Sequence, residues 1–470
     1  MSTLTQAQPG TAIPDRLLSL PLAATFAAEF TSLTSFFLLL SVLPMLTAAA
    51  GAGSSGAGLV TGSLLAGTVA AETMAVPLIR RLGHRATLAA GAVLLGAPAL
   101  AMLTPQPLAV MVSISVARGL GFGLCGVVTG ALTAALLPPG RRGEGLGLLG
   151  VVSGVPAVVA LPAGVWLAGH HQAAVAAATA AAAGLLPLAA VRWLPGGRQA
   201  RHAADAAALP GARGGGRLAG AALRLPLIFA VVTVAAGVLD SFLPLVKEIP
   251  SSLCSAALLV QAVTATLSRW QAGRGGDRYG HARLLIPALA AAALGMAALT
   301  VPGSPAMLFA GMVLFGAGLG VLENATFALL IEQLPEAKAS ALWNLAYDAG
   351  YGAGPAAFGL ICLHTGYPAA FALTGALILT AVPVALRERK ATSMRTALWS
   401  PRADETPLVT RYIVNYPGSS GSAPPARFRA TIGPRRRRQR GQGSTTRVPI
   451  QLVMAIHHGE QTRADSPGKQ

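Results

Sequence analysis

Twelve long apolar stretches, each bounded by glycine, proline and charged residues, make up most of the chain. They run near 20–47, 56–79, 86–104, 108–137, 145–168 and 172–194, and again near 226–246, 253–273, 284–302, 306–334, 341–364 and 369–386. Each is close to or above the ~20 residues a helix needs to cross a bilayer. Backbone groups in hydrocarbon must bond within their own segment, so these stretches are predicted to be helices. The segment 195–225, containing "GGRQARHAADAAALPGARGGGR", divides six from six, and the apolar pattern stops after 390. The predicted fold class is therefore an all-α polytopic membrane protein. Its parts are an N-terminal segment 1–19, a six-helix bundle 20–194, a linker 195–225, a second six-helix bundle 226–390 and a tail 391–470.

Composition agrees with the pattern. Hydrophobic residues make up 53% and charged residues 11% of the 470, with a mean hydropathy of +0.60, whereas a soluble domain carries about a quarter charged residues. This composition argues against a water-soluble enzyme. The apolar run from Leu17 to Ala50 is too long for the apolar region of a cleavable signal peptide. Lys and Arg fall on alternate connections, including Arg16, Arg80, Arg85, Arg141, Arg192 and Arg274, while the opposite loops hold only Lys247. This asymmetry puts both termini in the cytoplasm of a cell-membrane protein. Half of the net charge of +18 lies after residue 390. That tail, with "RRRRQR" at 435–440, reads as a disordered, solvated cytoplasmic segment without specific nucleic-acid binding.

Chemistry within the chain is sparse. Cys125, Cys254 and Cys362 each sit in an apolar stretch and form no disulfide framework or zinc spacing. His170 and His171 lack further ligands, so no metal site is expected. No phosphate-cradling glycine–lysine loop and no nucleophile constellation occurs, which argues against an enzyme, a cofactor or ATP-driven pumping.

The two halves resemble each other at a constant offset of 197 residues. Arg81 matches Arg278, Gly83 matches Gly280, His84 matches His281 and Pro105 matches Pro302. Gly119, Gly121 and Gly123 match Gly316, Gly318 and Gly320, and Leu137-Pro138 matches Leu334-Pro335. Two copies of one bundle produce such agreement.

The connection "GRGGDRYGHAR", Gly273 to Arg283, is similar to the G-x-x-x-D-R-x-G-x-x-R loop of the major facilitator superfamily. Over residues 17 to 390 the chain resembles that superfamily, especially its drug-exporter-like branch. The resemblance implies a gating latch, with Gly273 allowing close helix approach, Asp277 capping the fifth helix, Arg278 bonding inner-end carbonyls and carboxylates, Gly280 making the turn and Arg283 ending the motif. The first-half copy, "AVPLIRRLGHR", has Arg80 where the family has Asp, beside Arg81 and Gly83. A cation is unfavourable at a helix N-terminus, so Arg80 or Arg81 is expected to pair with Glu332 or Glu336.

In this fold the first and fourth helices of each half line a central cavity, and each carries one charge: Glu29, Arg118, Asp240 and Glu323. Arg118 opens "RGLGFG", similar to a family motif of an intramembrane arginine followed by glycines. Intramembrane charge is costly and faces protein or water. In the eleventh segment Asn344, Tyr347, Asp348 and Tyr351 fall at i, i+3, i+4 and i+7, a polar and aromatic stripe on one face. Carboxylates in such a cavity exchange protons, and aromatic faces beside them suit planar or cationic amphiphiles. The preferred reading is a monomeric secondary transporter that binds a small molecule between its halves and exports it by proton antiport. In that reading Asp240, Glu323 or Asp348 carries protons and Arg118 couples them. Proton-coupled uptake of a metabolite, a non-transporting scaffold or sensor, and purely structural ion pairs of Arg118 with Glu29 or Glu72 remain the alternatives.

Overall fold

The computed structural model describes residues 18–137, 142–194, 223–301 and 303–399, with the short pieces 411–412 and 428–429. The linker 195–222, Pro138 and Pro302 lie outside the described residues, as does nearly all of the tail. A unit from Met1 to Ala397 holds the helices. A second unit, from Leu398, contains an antiparallel pair of two-residue strands, Arg411–Tyr412 with Phe428–Arg429.

Twelve helices follow the twelve apolar stretches. In the first half they are α1 (Leu20–Leu40, continued by Val42–Thr47), α2 (53–82), α3 (84–96), α4 (Leu108–Leu136), α5 (Arg142–Gly169) and α6 (Ala173–Leu185). In the second half they are α7 (Arg224–Phe242), α8 (Ser251–Tyr279), α9 (His281–Ala298), α10 (Pro305–Ile331), α11 (336–365) and α12 (367–379, continued by Val382–Trp399). Among the described residues of this unit every regular element is a helix. Local signals set the ends. The Ser19 hydroxyl accepts from the Leu22 amide at the start of α1, and Ser304 accepts from Met307 at the start of α10, each satisfying a donor that has no partner within the helix.

The helical runs Gly53–Gly96 and Glu336–Leu379 each contain two spans, broken at Gly83 (φ 83°) and Gly366 (φ 73°). Gly280, the counterpart of Gly83, has φ 89° and separates α8 from α9. A residue with a Cβ is strained in that region, so the two loop copies turn at equivalent glycines.

The repeat extends into packing. A Cβ on Gly119, Gly121 or Gly123 of α4 would strike the backbone oxygens of Leu64, Gly91 and Thr68 respectively. On α10 a Cβ at Gly316, Gly318 or Gly320 would strike those of Gln261, Ala288 and Ala265. Both partners of every contact are displaced by the same offset of 197 residues. In each half the fourth helix therefore presses its glycine edge into the groove between the second and third, where backbones approach as closely as small residues permit.

The halves meet at the face opposite the arginine-rich loops, called here the far face. Along α2 and α11, Ser54 Oγ donates to the Gly359 carbonyl at 3.1 Å, and Gly58 and Gly62 lie against Pro355 and Ala356. Ser241 Oγ on α7 donates to Thr61 Oγ1 on α2 at 3.2 Å, and Ser41 Oγ on α1 donates to the Asp240 carbonyl. On the other side of the bundle Gly169, ending α5, packs on Ser251, starting α8. One apolar cluster joins Phe36, Leu40, Leu64 and Leu65 to Val232, Leu239 and Phe358. The far face is closed.

Candidate functional site

α11 supplies the spine of the site. Trp343, Tyr347 and Tyr351 are spaced by four residues and so stand one above another on one face. Their rings lie 5.9 Å and 5.3 Å apart, at interplanar angles of 22° and 23°. Phe229 of α7 stacks on Trp343 at 4.5 Å, and Trp343 Nε1 donates to Thr326 Oγ1 of α10 at 3.3 Å, which fixes the indole. The expected stripe therefore exists for Tyr347, Asp348 and Tyr351. Asn344 lies on the same helix one turn nearer the basic end and is exposed.

Four carboxyl groups surround this ladder. At its far-face end Tyr351 Oη donates to Asp240 Oδ2, while Asp240 Oδ1 has no hydrogen-bond partner among the described residues although the residue is 7% exposed. Beside Tyr347, Glu323 of α10 forms an ion pair with Arg269 Nε of α8 at 3.3 Å. Asp348 lies beside Glu72 of α2, across the boundary between the halves. Tyr347 lies within electrostatic reach of Asp240, Glu323, Asp348 and Arg269 together. One cation among four acids leaves the region acidic.

Glu29 and Arg118 sit apart from this group. Glu29 accepts a hydrogen bond from Thr129 of α4 within the first half. Arg118 is 1% exposed; Nη1 donates to the Leu95 carbonyl at 2.6 Å and Nη2 to the Ser35 carbonyl at 2.8 Å. Its charge is spread over backbone dipoles of α3 and α1, and no carboxylate pairs with it among the described residues. Neither Glu29 nor Glu72 makes the ion pair with Arg118 that the sequence allowed.

At the basic face Gly83 and Gly280 make the turns assigned to them. Arg81, Asp277, Arg278 and Arg283 are exposed there, as is Arg80. The guanidinium of Arg278 lies 5.2 Å over the Tyr279 ring. A Cβ at Gly273 would meet only Asn324 Nδ2 at 3.6 Å, an ordinary contact, whereas one at Gly276 would collide with the His281 ring. Close approach in this loop thus depends on Gly276 rather than Gly273. The side chains of the first turn of α5, the expected partner of Asp277, and of Glu336, one expected partner of Arg80 or Arg81, lie outside the described residues; Glu332, the other, is exposed at the end of α10.

Sequence reasoning passed over two charged residues. Arg269 falls inside the apolar stretch 253–273, and a charge inventory of that span would have found it. Glu388 on α12 is 0% exposed, bonded to Gln333 Nε2 at 2.9 Å and 3.8 Å from Arg224 Nη1; a lone acid among basic residues gave no signal of that burial.

The sequence matches the family described as Major Facilitator Superfamily over residues 25–274 and 227–417. The chain belongs to the major facilitator superfamily. No curated protein matches this superfamily member in sequence. Among solved structures it is similar to the nucleoside transporter NupG, with TM-score 0.59, 13% identity, and 82% and 100% of the two chains covered. It is also similar to the peptide transporter POT in complex with alafosfalin (0.63, 17%, 81% and 96%) and to the inward open xylose transporter XylE from E. coli (0.62, 16%, 78% and 96%). At these identities the likeness concerns the fold. Superfamily membership and a transporter fold indicate a membrane transporter rather than an enzyme.

Proposed function

We propose that this protein is a secondary active transporter of the cell membrane that works by alternating access and exports a planar, cationic amphiphile in exchange for protons. The observation that carries the reading is the aromatic ladder Trp343–Tyr347–Tyr351, ending on the buried carboxyl of Asp240 with one oxygen unpartnered. Flat aromatic faces bind a flat cation through dispersion and the ring quadrupole, and a carboxylate out of water gains most by acquiring a positive partner or a proton. Cation and proton then compete for Asp240, Glu323 and Asp348, which is the condition for exchange. Asn344 extends the polar path toward the basic face. Arg118 in this reading is a structural pin, because its two Nη groups are held by backbone carbonyls. The exposed Asp277 and Arg278 loop engages the fifth helix as a latch when the basic face is closed.

Purified protein in proteoliposomes tests this with ethidium, a permanently charged planar cation, and with a neutral sugar. Vesicles acidified inside should accumulate ethidium, with no accumulation at equal pH and none of the sugar. Accumulation only under an outside-acid gradient would assign uptake by symport instead. Transport of nothing under either polarity would leave the scaffold or sensor reading.

A further inference from the structure

We propose that Glu29 and Thr129, with the bare face of α4 at Gly126 and Gly130, form a second cation subsite in the first half, so that the preferred cargo carries two positive ends. The inference rests on the cation-export reading and deepens it, naming a dication with one end on the aromatic ladder and the other at Glu29.

Glu29 looks into the space between the halves. On α1 it shares one face with Phe36 and Leu40, at i, i+7 and i+11, and those two belong to the apolar cluster that joins the halves. On α4, Phe122, Gly126, Thr129, Gly130 and Thr133 likewise share a face. The two faces make one wall: Phe36 and Phe122 stack at 3.9 Å, and two turns nearer the basic face Thr129 Oγ1 donates to Glu29 Oε2. A Cβ at Gly126 or Gly130 would meet nothing within 4 Å, so the wall borders open space there. Glu29 has no cationic partner among the described residues. One turn further along α4 the Thr133 hydroxyl, 2% exposed, has no hydrogen-bond partner among them either. A carboxylate held within the membrane by one hydroxyl is stabilised by a cation brought to it.

The internal repeat sets the depth of this subsite and accounts for its opening. At the offset of 197 residues Thr129 corresponds to Thr326, Gly126 to Glu323 and Gly130 to Phe327. Thr326 holds the Trp343 indole, and the Phe327 ring stands edge-on to that indole at 5.6 Å. Equivalent positions of two bundles related by an axis along the membrane normal lie at equal depth, so Glu29 is level with Trp343, the rung nearest the basic face. At this level the second half carries rings and an acid already paired with Arg269. The first half has two glycines in place of those side chains, and an acid without a cation. Asp240 lies at the other end of the ladder, bonded to Tyr351, and the eight helical residues from Trp343 to Tyr351 span about 12 Å. The two acids therefore stand on opposite walls with roughly that difference in depth. A single flat cation reaches one of them; a molecule with two cationic ends reaches both.

The test is equilibrium binding to the full chain in lipid nanodiscs, with two probes that share a ring and an alkyl chain. One is a bis-quinolinium joined by a ten-methylene chain, long enough for the span; the other is N-decylquinolinium, which carries a single charge. The parent should bind the bis-cation more tightly by about tenfold or more, the scale of one charged hydrogen bond. Glu29→Gln keeps the shape of the side chain and its bond to Thr129, and should lower that ratio by about the same factor. Gly126→Val, whose Cβ enters open space, should weaken the bis-cation more than its single-ring analogue. If Glu29→Gln does not extract as folded protein, the Gly126→Val comparison decides alone. Asp240→Asn should weaken both probes. Equal affinities in the parent, or a ratio that Glu29→Gln and Gly126→Val leave unchanged, would overturn the proposal while binding of the single cation upholds the ladder. Binding of neither probe would overturn both readings.

Discussion

Replacing Asp240 by Asn is expected to lower gradient-driven ethidium flux about 100-fold while leaving the protein folded. The side chain is buried and its Oδ2 accepts from Tyr351, a bond that the asparagine oxygen retains. What disappears is the negative charge at the end of the ladder and the ability to take up a proton. Losing the attraction of this carboxylate for a cationic substrate forfeits a charged interaction of about 1.5–3 kcal/mol, and a tenfold change corresponds to ~1.4 kcal/mol, which gives a loss of one to two orders of magnitude. Tyr351→Phe, which keeps the ring and removes the hydroxyl, should cost less, since the stacking at 5.3 Å persists. Initial rates in proteoliposomes, normalised to reconstituted protein, provide the comparison. Near-normal flux in Asp240→Asn would remove this carboxyl from the transport path.

The second large effect concerns stability. Arg118→Ala removes hydrogen bonds that tie α3 and α1 to α4, through Leu95 and Ser35, and empties a fully buried volume. Charged hydrogen bonds contribute about 1.5–3 kcal/mol each, and large-to-small changes in a core cost about 2–5 kcal/mol. Relief of the buried cation returns about 2.5–3.5 kcal/mol. The net is a destabilisation of roughly 1.5 to 8.5 kcal/mol, expected as a large loss of monodisperse protein after detergent extraction and a lowered unfolding temperature. Arg118→Lys, with one donor cluster left, should fall between. A proton-coupling arginine would behave differently: the alanine variant would fold normally and lose only its response to the pH gradient.

The architecture was legible in the sequence because membrane helices announce themselves by run length. Each apolar stretch became a helix, and the loop glycines Gly83 and Gly280 adopt the positive φ that their repeated positions implied. The glycine triplets on α4 and α10 were visible as matched residues; only the structure reveals that their backbone partners obey the same offset. The stripe on α11 was legible from helical spacing, since Tyr347, Asp348 and Tyr351 share one face. Its partners were not, because periodicity fixes which residues share a face and says nothing of what faces them. Asp348 therefore gained an unforeseen mate in Glu72. Arg269 was hidden by the averaging that identifies a span, in which one cation among apolar neighbours barely lowers the hydropathy. Arg118 illustrates the opposite limit: burial cost predicts that a charge finds partners, but backbone carbonyls take its two Nη groups while Nε keeps no partner among the described residues, and sequence does not distinguish this from a carboxylate pair.

A disulfide across the closed face tests the central claim, that the halves separate there during each cycle. Thr61 Oγ1 and Ser241 Oγ, on α2 and α7, are 3.2 Å apart, so the double variant Thr61→Cys/Ser241→Cys brings two sulfurs within bonding reach. Ethidium flux in proteoliposomes should fall to the protein-free background on oxidation and return on reduction. Undiminished flux with the bridge verified by mass spectrometry would contradict alternating access through this face.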